Sequence, residues 1–406
     1  MTVQKRQSRL PSATLAEPWN RLNVAGLVTS AAAAQPSRQF LADCPQREAW
    51  GGQEPRRLTF SEFAAQAQFF AAQMETLGLV PGERVLILLP NCVEAPVALA
   101  GCLMAGLTPA LLSMADPLES QRIAAERVQA VAIITTGKVD DLRPGEIARQ
   151  IAARVMTIRV VAGFGFDLPD GIIPLDGWSE QDLDTNPNRP ARQQDDEALI
   201  VFRAMPEGIV GFARNEAQLL ADALALAARH KLGKDQVLVS TLLPAGAAAV
   251  AAGFLMPLFL GAGVQLVGPY QAARLQQALA QAGSSTSLLA PAALIDWLGA
   301  HGPAMSTVHP TQSIALFRPD DLGLRGEQPG VTPLFDLLDE ALVVPAALPA
   351  GLAALHGPHL HPMEGVLPAG EPYLLLTAGD DGVTRAFGFA AAERLTRQSE
   401  LGTAAA

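Results

Sequence analysis

A chain of 406 residues, 49% of them hydrophobic, is long enough for two or three domains with sizeable cores. Its formal charge of -11 excludes a protein built around a polyanion, so no nucleic-acid partner is expected. Three cysteines without a CxxC pair argue against a disulfide framework and for free buried thiols in a reducing compartment, which makes the cytoplasm the expected location.

The chain opens on MTVQKRQSRLPSATLAEP, which carries Arg and Ser but no apolar stretch of a secretory signal, so residues 1–30 read as a flexible arm. RVLILLPN (84–91) is a continuous apolar run ended by Pro and Asn, and a helix-period segment, 93–105, follows it. LTPALLS, an amphipathic stretch at 117–128 and AVAIITTG continue the alternation. GFGFDLPDG (163–171) holds a bare GlyxGly without the longer dinucleotide fingerprint and reads as a turn. After the polar stretch 179–196, further strands are expected at ALIVFR (198–203), QVLVSTLL (236–243), GVQLVG (263–268), STSLLAP (285–291) and SIALFR (313–318). Short apolar runs alternating with helices imply parallel sheets covered on both faces. The expected fold class is α/β: two stacked doubly wound lobes, residues 31–190 and 191–330, with a small β-rich piece at 331–406.

No residue from 241 to 273 is charged, which exceeds the ~20 apolar residues a bilayer requires. Pro244, Pro257 and Pro269 divide it, so a buried core and no membrane span is expected. HGPHLHPME (356–364) gathers three His and a Glu, but its spacing matches no closed metal site and no metal is expected. No GlyxSerxGly elbow is present, so no hydrolase triad is nominated.

The run 57–112 has an ordered set of features: ThrPhe opening a helix, LeuGly before ProGlyGluArgVal, LeuLeuProAsn ending a strand, and a helix leading to AlaGly. In this it resembles the N-terminal lobe of the adenylate-forming (AMP-binding) superfamily, which includes acyl-CoA synthetases, peptide-synthetase adenylation domains and luciferases. A weaker resemblance continues through 243–270 and 288–298. It implies that the strand like ALIVF opens into a loop rich in Ser, Thr and Gly, ending in ProLysGly, which closes on phosphate through backbone N–H groups, hydroxyls and a lysine. Here the matching residues run from Arg203 to Gly211 with no hydroxyl and no lysine, and with Pro206 and Glu207 in the turn. Only Gly208 and Gly211 keep the pattern, and Arg203, with Arg214 beyond, offers a guanidinium that phosphate could use. An ion pair between Arg203 and Glu207 is the expected alternative use.

The resemblance also implies a Tyr-Gly-x-Thr-Glu segment for adenine, phosphate and magnesium; the residues in its place are Asp336, Leu337, Leu338, Asp339 and Glu340, of which Glu340 alone matches. The family's helix start beside the acyl carboxylate corresponds to 244–249, where no polar side chain remains. Relatives end in a small mobile domain with a catalytic lysine; none is expected here, as the lysines are Lys5, Lys138, Lys231 and Lys234 only.

The expected protein is therefore degenerate: a vestigial nucleotide site of Arg203, Gly208, Gly211 and Glu340, no catalytic residue, and no cofactor. It would act as a binding or scaffold partner in a biosynthetic pathway. Its docking face would lie near 202–211 and 336–340, where Glu207, Asp336, Asp339 and Glu340 favour a basic or neutral protein partner. An apolar carboxylic acid is a further expected ligand beside 245–253, although neighbouring helices are expected to fill that space. The alternative is a diverged AMP-forming carboxylate ligase, using ATP and Mg²⁺, with Arg203 in place of lysine and a separate C-terminal domain.

Overall fold

The structure is a computed structural model that describes residues 23–183, 196–205, 208–230, 232–283, 285–301, 310, 312–317, 330–337, 341–343, 375–378, 384–387 and 393–395. Glu207, Asp339, Glu340, the loop 356–364 and most of the arm and linker lie outside them.

The described strands form two sheets of eight and one pair, Leu375–Ala378 with Thr384–Phe387. The first sheet is ordered Glu393–Leu395, Gly208–Arg214, Leu199–Met205, Thr108–Leu111, Arg84–Ile87, Ala132–Thr136, Val160–Phe164, Ile173–Pro174. From Leu199–Met205 to Ile173–Pro174 all neighbours are parallel. The second is ordered Ala341–Val343, Val331–Leu337, Gln312–Phe317, Thr286–Pro291, Val237–Ser240, Gly263–Leu266, Gln39–Ala42, Arg57–Thr59. It is parallel from Val331–Leu337 to Gln39–Ala42.

The two windings are alike. In the first sheet the chain starts at Arg84–Ile87, places Thr108–Leu111 on one side and then crosses to Ala132–Thr136 and Val160–Phe164 on the other. The second starts at Val237–Ser240, places Gly263–Leu266 on one side and crosses to Thr286–Pro291 and Gln312–Phe317. These are doubly wound α/β sheets, as the alternation of apolar runs and helices implied. Sheet membership does not follow a division at residue 190, however. Gln39–Ala42 pairs with Gly263–Leu266 in the second sheet, and Leu199–Met205 pairs with Thr108–Leu111 in the first. Val331–Leu337 and Ala341–Val343 likewise extend the second sheet instead of belonging to a separate terminal piece.

Helices fill the space between the sheets. Phe60–Thr76 starts on a reciprocal cap in which Thr59 Oγ1 accepts from the Glu62 N–H and Glu62 accepts from the Thr59 N–H. It packs on Glu94–Met104, touching the second sheet while its partner touches the first. Phe40, Phe60, Phe63 and Phe254 stack or meet edge to face in this shared core. Leu86, Ala110, Ile133, Ala148 and Ile151 form a second apolar layer on the opposite face of the first sheet.

The uncharged stretch becomes a helical run, Ala247–Val250, a π turn at Ala251–Leu255 and Met256–Leu260, followed by the strand Gly263–Leu266. Pro257 has no N–H to return to the carbonyl one turn back, which accounts for the π turn ahead of it. No helix among the described residues is long and apolar enough to cross a membrane.

Candidate functional site: a cleft where both sheets end

In open α/β sheets, ligands bind outside the carboxyl ends of the strands, at the point where the winding reverses. That point lies between Arg84–Ile87 and Ala132–Thr136 in the first sheet and between Val237–Ser240 and Thr286–Pro291 in the second. Both open on one cleft of ≈ 960 Å³. Ser113, Met114, Asp116, Val139, Asp140 and Arg203 line it from the first sheet, facing Thr241, Leu243, Ala248, Tyr270, Pro291 and Leu316 from the second.

Its polar groups are few. Partial desolvation raises the exposed Asp116 carboxyl above its ordinary range and the Arg203 guanidinium opposes the rise; both residues line the cleft. Asp140 accepts from both terminal nitrogens of Arg274, at 2.8 and 2.6 Å, a bidentate pair in which Arg274 is nearly buried. Arg274 also donates to the Pro269 carbonyl at 2.8 Å, tying the walls together. Asp141 is exposed. Burial holds the Tyr270 hydroxyl above its ordinary range, so it stays protonated.

At the inner end lies a smaller cavity of ≈ 30 Å³, bounded by Asn91, Ala95, Ser240, Ala249, Gly253 and Phe254. Asn91 Nδ2 donates to the Ser240 and Val267 carbonyls, 2.8 Å each, and so pins the turn after Arg84–Ile87 to the strand ends of the second sheet. The expected collapse around 245–253 is only partial. Gly253 packs against Leu289 and Ser240, but Ala245, Gly246, Ala248 and Ala249 stay on the wall of the large cleft, because side chains this short do not reach across it.

Residues 203–205 and 208–211 lie in two paired strands instead of a loop. Leu199–Met205 and Gly208–Arg214 pair antiparallel along their length, with Arg203 opposite Val210, Phe202 opposite Gly211 and Met205 opposite Gly208. Gly208, at φ 112°, takes a conformation open to glycine, and residues 206–207 lie outside the described residues. Of the expected nucleotide residues, Arg203 reaches the cleft, Gly208 and Gly211 belong to the pairing, and Glu340 lies outside the described residues. Arg214 is buried 3.7 Å from Asp222 and does not line the cleft. Among the described residues no group of three or more His, Cys, Asp or Glu is placed to hold a metal ion. The sequence reading missed Asp116 and the Asp140–Arg274 pair; the one sequence signal for them was their position just beyond apolar strand runs.

Two doubly wound sheets whose reversal points share a cleft define an α/β fold with a cleft at the carboxyl ends of its strands. The chain belongs to the AMP-binding enzyme family, whose model matches residues 28–352. Salicyl-AMP ligase / salicyl-S-ArCP synthetase of Mycobacterium tuberculosis is 28% identical over 226 residues, which are 54% of this chain and only 38% of that protein. The N-terminal domain of FACL13 from Mycobacterium tuberculosis superposes with a TM-score of 0.66 at 15% identity, covering 94% of each chain. The apo structure of MbtA from Mycobacterium smegmatis does so at 0.62 and 21% identity, covering 89% of this chain and 67% of that one. At these identities the structures speak for the shared fold.

Proposed function

We propose that this member of the AMP-binding family does not form acyl-adenylates on its own and acts as a binding or scaffold protein, with a protein partner, in a biosynthetic pathway. The observation that carries this reading is the antiparallel pair Leu199–Met205 and Gly208–Arg214. Its backbone groups are used in cross-strand pairing where phosphate binding needs N–H groups turned toward the ligand. No Ser, Thr or Lys lies between Arg203 and Gly211 to replace them. The described cleft wall adds one guanidinium, Arg203, against the carboxylates of Asp116 and Asp141, with Asp140 already paired to Arg274, which is a poor field for a polyphosphate. Two or three missing charge-assisted contacts, at roughly 1.5–3 kcal/mol each, lower the rate by about 10²- to 10⁷-fold.

A ligase reading has in its favour the membership of the AMP-binding enzyme family and the presence of Arg203 on the cleft wall. Calorimetry with ATP and Mg²⁺, followed by pyrophosphate exchange across a broad acid panel, separates the two. The proposal expects no saturable ATP binding below millimolar concentration and exchange at the no-protein level. Micromolar ATP affinity, or acid-dependent exchange above that control, establishes the ligase.

A further inference from the structure

The inner cavity holds two polar atoms that the fold leaves open. Asn91 is 5% exposed and Ser240 2%, and both line it. Asn91 directs its amide nitrogen to the Ser240 and Val267 carbonyls, so the oxygen, Oδ1, is the end that remains, and no group among the described residues donates to it. The Ser240 hydroxyl lies beside Gly253, where an added Cβ would stand 3.4 Å from Oγ, and it too has no partner among the described residues. An open acceptor and an open hydroxyl this deeply buried call for a group that bonds them. The rest of the wall is apolar, with Leu99, Leu111, Phe254 and Leu266 on it, and none of the residues that bound it is charged.

Asn91 is also held from behind. The turn 88–93 that carries it is fixed by a buried ionic cluster, in which Asp43 accepts from the Val93 N–H at 2.9 Å and the Arg56 N–H at 3.1 Å. Glu94, the first residue of the next helix, has Arg47 and Arg56 nitrogens each at 3.5 Å. Gripped by these contacts and by two strand-end carbonyls of the second sheet, Asn91 presents its oxygen in one orientation, the preorganisation that recognition requires.

Size and charge then select the ligand. A volume of ≈ 30 Å³ admits a hydroxyl with the carbon that bears it, since a single water needs ~10–15 Å³ measured this way. Leu242 and Ala249 line both the cavity and the large cleft, so the two spaces adjoin there and the body of a longer molecule has room outside. An ionised group at the inner end would lose its water with no opposite charge beside it. A hydroxyl suits both partners, donating to Asn91 Oδ1 and accepting from the Ser240 O–H. On the outer wall Asp116 and Asp141 outnumber Arg203, which tells against an anion there too.

We propose that the cavity and cleft bind an uncharged apolar alcohol or phenol, hydroxyl first, with Asn91 and Ser240 recognising the hydroxyl. This rests on the reading of the chain as a binding protein and names the class of small molecule it holds.

p-Cresol and p-xylene have nearly the same shape and differ by one hydroxyl, so calorimetric titration of both into the full chain, without nucleotide, tests the site. p-Cresol should bind about tenfold or more tightly than p-xylene, and more tightly than benzoate. Ser240→Ala should weaken p-cresol by about tenfold and leave p-xylene unchanged. If Ser240→Ala does not fold, the Asn91 side-chain amide signals of the unmodified chain give the answer by nuclear magnetic resonance, moving with p-cresol at the calorimetric midpoint. Equal affinity for the two probes, no binding of either, a preference unchanged in Ser240→Ala, or Asn91 signals that stay still overturns the proposal; no binding is the result if ordered water alone fills the cavity. ATP affinity and pyrophosphate exchange are measured separately, so this proposal and the function proposed above can each fail alone.

Discussion

A methyl group added at Gly268 would lie 2.5 Å from Trp50 Cε2, and the indole is fully buried. A rigid ring in a packed core cannot yield by that much without moving its neighbours, so Gly268→Ala is expected to cost ~1–3 kcal/mol. A fall in the urea midpoint with the slope unchanged is the measurement that checks it. The Asp140–Arg274 pair makes a second case. Arg274 donates three hydrogen bonds from a nearly buried position, two to Asp140 and one to the Pro269 carbonyl. Arg274→Ala strands both acceptors, and a loss of about 2 kcal/mol is expected, reduced by the partial exposure of Asp140. Thermal unfolding at low and high salt distinguishes the hydrogen bonds from screened charge, because only the latter part fades with salt.

At the scale of elements, helices Phe60–Thr76 and Glu94–Met104 approach most closely at Gly101, where a Cβ would lie 2.6 Å from Phe70 Cδ1 and 2.8 Å from the Ala67 carbonyl oxygen. Backbone cannot turn aside as a flexible side chain can. Gly101→Ala is therefore expected to push the helices apart and destabilise by ~1–3 kcal/mol, despite alanine's better helix propensity of ~1 kcal/mol. Equilibrium denaturation checks the sign, since propensity alone predicts stabilisation. Strands such as Arg84–Ile87, Ala132–Thr136 and Val237–Ser240 were legible in the sequence because a buried parallel strand needs only a short apolar run with a breaker after it. The antiparallel pair Leu199–Met205 and Gly208–Arg214 was less so. LIVF and IVGF flanking MPEG carry a turn signal, but comparison with a phosphate loop draws attention to missing hydroxyls and away from pairing. The ionic cluster was not legible at all. Asp43, Arg47, Arg56 and Glu94 look like ordinary surface charges until contacts 50 residues apart bury them. Sheet membership escaped for the same reason, since parallel partners are remote in sequence.

For the whole molecule, two buried groups set opposing pH dependences. His230 bonds Thr332 through Nδ1 at 2.9 Å and Ser287 through Nε2 at 3.2 Å, and burial lowers it to about 4. Its contribution is present above 6.5, the ordinary value, and is lost as pH falls toward 4, whereas that of Asp43, which burial, with Glu94's charge added, raises to about 7, is lost as pH rises from about 4 to about 7. Over most of this window each group binds or releases one proton on unfolding, with opposite sign. Global stability should therefore vary little with pH on their account. His230→Asn should unmask Asp43, with stability falling, relative to the parent, by up to ~1.4 kcal/mol per unit as pH rises from 5 to 6.5. Urea titrations of both proteins at those pH values decide it, and matching slopes would show that His230 does not titrate as described.

The interleaved sheets have a consequence for how the chain is made. Gln39–Ala42 leaves the ribosome early, yet its parallel neighbour Gly263–Leu266 is synthesised more than 200 residues later. At ~5–20 residues per second, the interval is roughly 10–45 s. During it Phe40 and Leu41, both fully buried in the finished protein, have only the short antiparallel strand Arg57–Thr59 to pair with. The first sheet is in the same position, because its strand Leu199–Met205 comes well after Thr108–Leu111. A nascent chain of this design carries two unfinished sheet edges at once, so its yield in a cell should depend on chaperone capacity and on translation speed between residues 60 and 266 more than on the stability of the folded product.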